Sequence, residues 1–510
     1  MMSRTSLPCV VVVQCDPDMN AAKPATRPLD KGVIRLLERA VGKNAVLWRP
    51  EEVLAFEYDG TIERAMPQAV AFPDSAEQVA DVVSIALDAG LPVVPRGAGT
   101  GLSGGAVAAL GGVVVALTRM KRILEIDAED QLAVVEPGVV NLDLSKAAAR
   151  HDLYYAPDPS SQRACTLGGN VAENAGGPHC LAYGVTTNHV IGLEVVTPAG
   201  DIVEFGGRTS DAPGYDLRGL FVGSEGTLGI APKITLRLLR RPEATRTLLA
   251  IFDTVDQASA AVSAIIGGGI VPSALEMIDH LVISAVVQAM DVGYPADAGA
   301  VLLIEVDGLR EAIAEESLKI RDVCLAEGAR EVREAAEAAE REKLWAGRKG
   351  SISALGRLAP NYYVLDGVVP RTKLPDVLRE VYRLGEEYGF PIANVFHAGD
   401  GNLHPNVLFD ERKPGESERV LEVGAAIMRL CVDAGGTITG EHGVGLEKRG
   451  HMDWIFSEDD IAAMAKVKAA FGSTDLYNPC KIFPTGKGCG EVSQAKIEHV
   501  MKQVGPDAYI

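Results

Sequence analysis

Aromatic residues are scarce in this chain. Only 5% of its 510 positions are Phe, Trp or Tyr against 47% hydrophobic residues in all, so its cores must rest on aliphatic packing. A cationic excess is absent too: Lys and Arg number 49 against 69 Asp and Glu, and the net charge of −20 repels nucleic acid and anionic membrane surfaces. Small molecules and other proteins are the expected partners. The eight cysteines (Cys9, Cys15, Cys165, Cys180, Cys324, Cys431, Cys480 and Cys489) include no CxxC and are too sparse for a disulfide scaffold. That predicts reduced thiols and a cytoplasmic setting, and it leaves no run able to hold an iron–sulfur cluster. No apolar stretch reaches the length of a membrane span, and the run in SLPCVVVVQCD is too short for a signal-peptide core and meets Asp16 at once. Internal repeats and low-complexity segments are missing as well.

What is present is length enough for two or more domains. EQVADVVSIALDAG (77–90) has helical spacing and a glycine stop, LPVVPRG reads as a short strand, and GGVVVAL (111–117) reads as another. Short strands and turns continue to about residue 240, with hairpin chemistry at TPAGD. Beyond RRPEA, near 241, the units lengthen. TRTLLAIF precedes a helix around 255–266, GAVLLIEVDG precedes a long charged helix from about 311, and NYYVLDGVVP leads to the helix of LPDVLREVYRLGEEYG. The charge-rich stretch 311–345 reads as a solvated helix face. The fold class is α+β, with a boundary near 242.

PRGAGTGLSGG (95–105) contains a GxGxxG at Gly99, Gly101 and Gly104. A dinucleotide fingerprint of the Rossmann kind should open a helix, whereas this loop runs into a strand. Consecutive backbone N–H groups in such a loop can still hold a diphosphate, although a flexible turn explains the segment equally well when it is taken alone. Two further glycine-dense loops, DPSSQRACTLGGNVAENAGGPHCLAYG (158–184) and GLFVGSEGTLGI (219–230), interrupt strands of the same domain. Three such loops suggest backbone wrapped around one extended ligand, with a dinucleotide the natural candidate.

FHAGDGNLHPN (396–406) sets two histidines around an Asp-Gly turn signal. A two-residue turn at Asp400-Gly401 would put His397 directly opposite His404, with Cβ atoms roughly 4.5–5.5 Å apart, and Asn406 on the same face. A structural or surface pair is the ordinary explanation of two such histidines. GTITGEHGVG (436–445) adds a carboxylate, Glu441, beside a third histidine, His442. Two His and one carboxylate leave positions open for substrate and suit Zn, Fe, Mn or Co.

These motifs, in this order and together with NPCKIFP near the C-terminus, resemble the FAD-linked oxidase family typified by vanillyl-alcohol oxidase. Within it the likeness is to the glycolate oxidase group of the D-2-hydroxy-acid dehydrogenase branch, over roughly residues 45–486. The resemblance implies a vanillyl-alcohol-oxidase-type FAD-binding domain (46–242) and an α+β substrate and metal cap with an antiparallel sheet (243–450). A C-terminal segment (451–510) returns to the FAD domain, and residues 1–45 form an extension. It implies FAD contacts from Pro95, Arg96, Gly97, Ala98, Gly99, Thr100, Gly101 and Gly104 in the first loop. In the second they are Pro159, Ser160, Ser161, Thr166, Gly168, Gly169, Asn170, Asn174, Gly176, Gly177, Tyr183 and Gly184. Gly223, Glu225, Gly226, Gly229 and Ile230 follow in the third, and Asn478 comes from the C-terminal segment. Some relatives link FAD covalently through a histidine where this chain has Thr100, or through a cysteine near Cys165; here non-covalent FAD is expected.

By the same resemblance His397, His404 and Glu441 are the metal ligands, His442 is the catalytic base, and Arg348 binds the substrate carboxylate; Asn406, from its place on the hairpin face, is expected to reach whatever the metal holds and to take part in catalysis. Zinc is the expected metal, with iron or manganese as alternatives. Relatives that act on 2-hydroxyglutarate carry a lysine two residues before the aspartate matching Asp366; this chain has Val364, which favours glycolate, with D-lactate as the alternative. The implied partners are a second FAD-type subunit and an iron–sulfur subunit, through which a cytoplasmic protein would reach the inner membrane. Two other classes fit parts of the pattern: a nucleotide-binding metallohydrolase, and a non-catalytic flavin-binding scaffold.

Overall fold

The computed structural model describes residues 28–209, 213–472 and 475–484. Strands β1 (Val93–Arg96) and β2 (Val113–Ala116) lie parallel in a four-stranded sheet, and the glycine-dense loop 97–112 joins them without a helix. The helix Lys31–Val41 packs against the helix Ala76–Asp88 and contributes Leu37 and Val41 to this core. Leu37, Val41 and Ala45, within the stretch expected to be an extension, are thus buried in this core.

A five-stranded antiparallel sheet follows, and in it Val190–Val196 and Ile202–Gly206 form the hairpin expected around TPAGD. The second glycine segment lies in sequence between the strands Leu132–Val135 and Val190–Val196 of this sheet, and it is not loop throughout. Helix α1 (Leu167–Glu173) forms despite two glycines, because the Thr166 side chain caps Gly169 N and Leu167 and Val171 are buried.

From Ala244 the chain builds a further, nine-stranded sheet. Alternation is strict: Leu248, Ala250 and Phe252 enter the core on one face, while Leu249 and Ile251 enter the core on the other. Strand β3 (Ala274–Asp279) lies near its centre, followed in sequence by helix α2 (Ala338–Leu355), which covers one face. Strands β4 (Ile392–His397) and β5 (Pro405–Phe409) complete the part that matters for the site.

The stretch 311–345 departs from expectation. It is a helix (Arg310–Ala326), a strand (Glu331–Glu334) and the first half of α2, and the α2 part turns Trp345 inward. Residues 345, 348 and 352 are spaced along one helical face, so a charged composition hides a buried stripe.

The segment after 450 spans both cores. Ile461 joins the cap core, Val467 and Phe471 pack on the first domain, and Asn478 N donates to Val93 O at 2.7 Å. Cys165, Cys180, Cys324 and Cys431 are free, but Cys480 is disulfide-bonded, a departure from the all-reduced expectation that no spacing in the sequence signals.

Phe396 has no solvent exposure and sits on β4 next to His397. Phe396→Ala should lower the denaturant midpoint by the equivalent of about 3–5 kcal/mol. A change under about 1 kcal/mol would mean that the cap core collapses around the vacancy.

Candidate metal and flavin site

β3 and β4 pair antiparallel, with Glu276 directly opposite His397. Both side chains point to the face covered by α2, which carries Arg348 in its middle. A buried ion chain results. Arg348 Nε and one terminal nitrogen each lie 2.6 Å from Glu276 Oε2, and His397 Nδ1 lies 2.8 Å from Glu276 Oε1. Burial works against the Glu276 charge, yet Arg348 and His397 hold it below the usual carboxylate range.

The turn between the histidines has four residues, Ala398–Gly401, not two, and His397 pairs with Asn402. His404 is therefore diagonal to His397 rather than directly opposite. The shift keeps both on one face, and their rings stand 5.1 Å apart at 87°. His397 Nε2 is 3.2 Å and His404 Nε2 is 3.1 Å from the same atom, Glu441 Oε1. Their other nitrogens are tied back, His397 Nδ1 to Glu276 and His404 Nδ1 to Leu365 O at 3.2 Å. Since carboxylate and carbonyl only accept, each Nδ1 donates and each Nε2 is aimed at the convergence point. Three donor atoms of two imidazoles and one carboxylate, with their outer nitrogens anchored, fit a divalent cation. Burial disfavours a charged Glu441, but His397 and His404 hold it well below its ordinary value; burial likewise opposes protonation of His397, but Glu276 and Glu441 raise it well above its own. A cation between them would replace the Nε2 proton.

A second trio, Asp366, His404 and His442, also converges. Asp366 is otherwise engaged: it accepts from Thr439 Oγ1, from the N–H groups of Gly440, Glu441 and His442, and from Lys448 Nζ. It anchors the loop that presents Glu441 and His442. The His442 ring stacks on His404 at 5.0 Å and 8°, and its Nδ1 has no hydrogen-bond partner. Burial pushes its pKa down to about 4, so the ring is neutral near pH 7 and has a lone pair free.

Arg348, His404, Glu441 and His442 open on one cavity of about 490 Å³, whereas His397, Glu276 and Asp366 are not among the residues that line it. Its far wall is the glycine loops: Pro95 to Gly101, Pro159, Ser160, Ser161, Cys165, Thr166, Gly168, Gly169, Asn170, Gly176, Glu225 and Gly226 all line it. Asn170 Nδ2 and Glu173 Oε2 there are buried without a partner. Partnerless polar atoms among glycine backbone fit a large polar cofactor better than they fit solvent. Gly104, Asn174, Gly177, Tyr183, Gly184, Gly223, Gly229, Ile230 and Asn478 stand behind this wall. Tyr183 Oη donates to Asp307 at 2.6 Å, and Asn478 Nδ2 donates to Glu225 O at 2.6 Å. Asn406 is also set back, its amide NH2 donating to the Ala393 and His404 carbonyls.

The near wall is Arg348, Lys349, Ile352, Ser353, Tyr362, Val364, Val395, His404, Glu441 and His442. Two residues of the site carry no local sequence signal: Glu276, one of two acids in the otherwise apolar strand ALEMID, and Lys349, whose ammonium lies 5.5 Å from the Trp345 ring.

Comparison with known proteins finds two family models in this chain. An FAD binding domain model matches residues 67–206, and the model for the C-terminal domain of FAD linked oxidases matches residues 241–482. The chain is 46% identical to glycolate oxidase subunit GlcD of Escherichia coli K12 over 92% of this chain and 94% of that one. It is 34% identical to the D-lactate dehydrogenase of Anaerostipes hadrus, covering 82% of this chain and 90% of that one. Among solved structures, p-cresol methylhydroxylase superposes with a TM-score of 0.74 at 16% identity over 89% and 98% of the two chains, a likeness of fold alone.

Proposed function

The chain belongs to the FAD-linked oxidase family, and from that premise we propose that it oxidises a small 2-hydroxy acid, glycolate to glyoxylate first. One observation carries the reading: the glycine loops and His404, Glu441, His442 and Arg348 line one and the same cavity. When bound, FAD accepts the hydride from C2 of the substrate, and a divalent cation, zinc first with iron or manganese as alternatives, acidifies the substrate hydroxyl.

The residues do the rest. His397, His404 and Glu441 hold the cation. His442, neutral and stacked beside them, takes the hydroxyl proton. Arg348 keeps its Nε and one terminal nitrogen on Glu276 and offers its remaining N–H groups to the substrate carboxylate. FAD is held without a covalent bond: Thr100 offers no imidazole, and Cys165 is a buried thiol whose pKa burial raises.

D-lactate is the second reading, because Ile352, Val364 and Val395 supply an apolar lining able to accept a methyl group. The metallohydrolase and scaffold alternatives are set aside by membership of an oxidoreductase family. The electrons leave to partners, a second FAD-type subunit and an iron–sulfur subunit, or to a quinone; a relative named as a subunit supports this. The setting is cytoplasmic, with the inner membrane reached through those partners. Among the described residues no helix is long and apolar enough to cross a membrane.

Anaerobic mixing of the purified chain with glycolate, D-lactate and 2-hydroxyglutarate tests the reading. Bleaching of the flavin should be fastest with glycolate, with D-lactate next. A clear preference for 2-hydroxyglutarate would defeat the argument from Val364, and flavin that stays with acid-precipitated protein would defeat non-covalent binding.

A further inference from the structure

The loop 439–448 carries Glu441 and His442, and its backbone N–H groups can be followed one by one. Those of Gly440, Glu441 and His442 donate to Asp366, and that of Gly443 donates to Thr439 Oγ1. All of these partners lie in the cap. The next four cross to the other domain. Val444 N and Gly445 N donate to the two carboxylate oxygens of Glu225 at 2.7 and 2.6 Å, and Leu446 N and Glu447 N donate to Ser103 O at 2.8 and 3.2 Å. The loop thus has its first half fixed by the cap and its second half by the flavin loops.

Glu225 is unusual in its own right. It lines the cavity at a left-handed φ of +51°, a conformation that is uncommon for a residue with a side chain. Its carbonyl oxygen is gripped by Asn478 Nδ2. Burial pushes the neighbouring carboxyls of Glu173 and Glu225 both above their ordinary pKa; the Glu225 charge pushes Glu173 further up, whereas the N–H groups of Val444 and Gly445 work against the rise at Glu225. There is also little slack in the contact. A side chain at Gly443 would run into both carboxylates, and one at Gly445 would run into Ser103 O.

We propose that Glu225 is a positioning residue that couples the two ligands: FAD, by ordering the loops that hold Glu225 and Ser103, sets the loop that presents Glu441, so that flavin and cation each tighten the binding of the other. The inference rests on the metal reading above and goes beyond it, since Glu225 touches neither the three donor atoms nor the substrate wall. Coupling between two sites is a reciprocal free energy, so it can be read from either ligand.

The experiment uses the holoenzyme. The FAD dissociation constant is measured by flavin fluorescence on dilution, once with Zn²⁺ saturating and once with Zn²⁺ chelated. Zn²⁺ should tighten FAD binding about tenfold in the natural protein, within the usual range for coupled sites. In Glu225→Ala, FAD binding should be weaker and the Zn²⁺ effect should vanish. Glu225→Gln, which keeps the side-chain volume but has only one acceptor oxygen, should retain part of it and serves if the alanine variant does not fold. An FAD affinity indifferent to Zn²⁺ in the natural protein, or an undiminished Zn²⁺ effect in both variants, would overturn the proposal. Failure of the metal reading looks different: the holoenzyme would then take up no Zn²⁺ that His397→Ala loses.

Discussion

His442→Ala should retain FAD and metal in full, yet slow reduction of the flavin by glycolate about 10²- to 10⁴-fold, the usual contribution of a positioned general base. The loss is equivalent to roughly 3–5 kcal/mol of barrier. The structure separates the two roles a histidine here could have. His442 Nε2 is 3.9 Å from Glu441 Oε1, too far for a hydrogen bond, whereas His397 and His404 both reach that atom within 3.2 Å. Removing the ring therefore takes away a proton acceptor and leaves the donor set whole. The loop should hold its place, because it is the His442 backbone N–H, not the side chain, that Asp366 grips at 2.9 Å. Stopped-flow absorbance gives the rate and elemental analysis the metal content. Reduction at the natural rate would assign the proton to another group, and loss of metal would make His442 a ligand.

Much of the site was legible because it depends on parity rather than detail. The two histidines share a sheet face whether the turn has two residues or four, since lengthening it by two moves the pairing without flipping the side chains. The turn length itself was missed. Asp-Gly suggests a tight turn, but here Asp400 Oδ1 accepts Asn402 N and closes a longer loop, with Gly401 at φ +80° beside Val369 O. The helix at 167–173 was hidden by its glycines, which lower helix propensity. Its cap at Thr166 and its apolar pair Leu167 and Val171 were the signals available.

Long-range partners left the weakest trace. Glu276 lies 121 residues from His397 and 72 from Arg348, and nothing local distinguishes it from a surface acid on a strand. Only the sheet register, which seats it opposite His397, shows what it does. The same holds for Asp366 and Glu225, whose acceptor atoms are spent on the backbone of a loop that begins 73 residues later in the one case and lies 219 later in the other. Side chains that organise a distant backbone cannot be inferred from periodicity, because the pattern they satisfy belongs to another segment.

His397→Ala should strip the protein of its metal and of its activity together. Two donors, His404 and Glu441, remain, and neither can close a three-ligand set. Metal per chain after dialysis should fall to background, with flavin occupancy only modestly lowered; retention of metal and turnover would remove His397 from the donor set. The companion variant Glu276→Gln asks a finer question. The Glu276 carboxylate anchors His397 and Arg348 at once, so neutralising it should weaken metal binding by about 10- to 100-fold, as loss of a ligand's outer partner usually does. It should also disturb the guanidinium, raising the KM for glycolate even when metal is saturating. His397→Ala, with its Arg348–Glu276 pair intact, should leave the affinity for a substrate carboxylate less affected than its affinity for metal. A Glu276→Gln protein with natural metal affinity and natural KM would mean that register and packing alone hold the two side chains in place. The paired carboxylate would then be incidental to both.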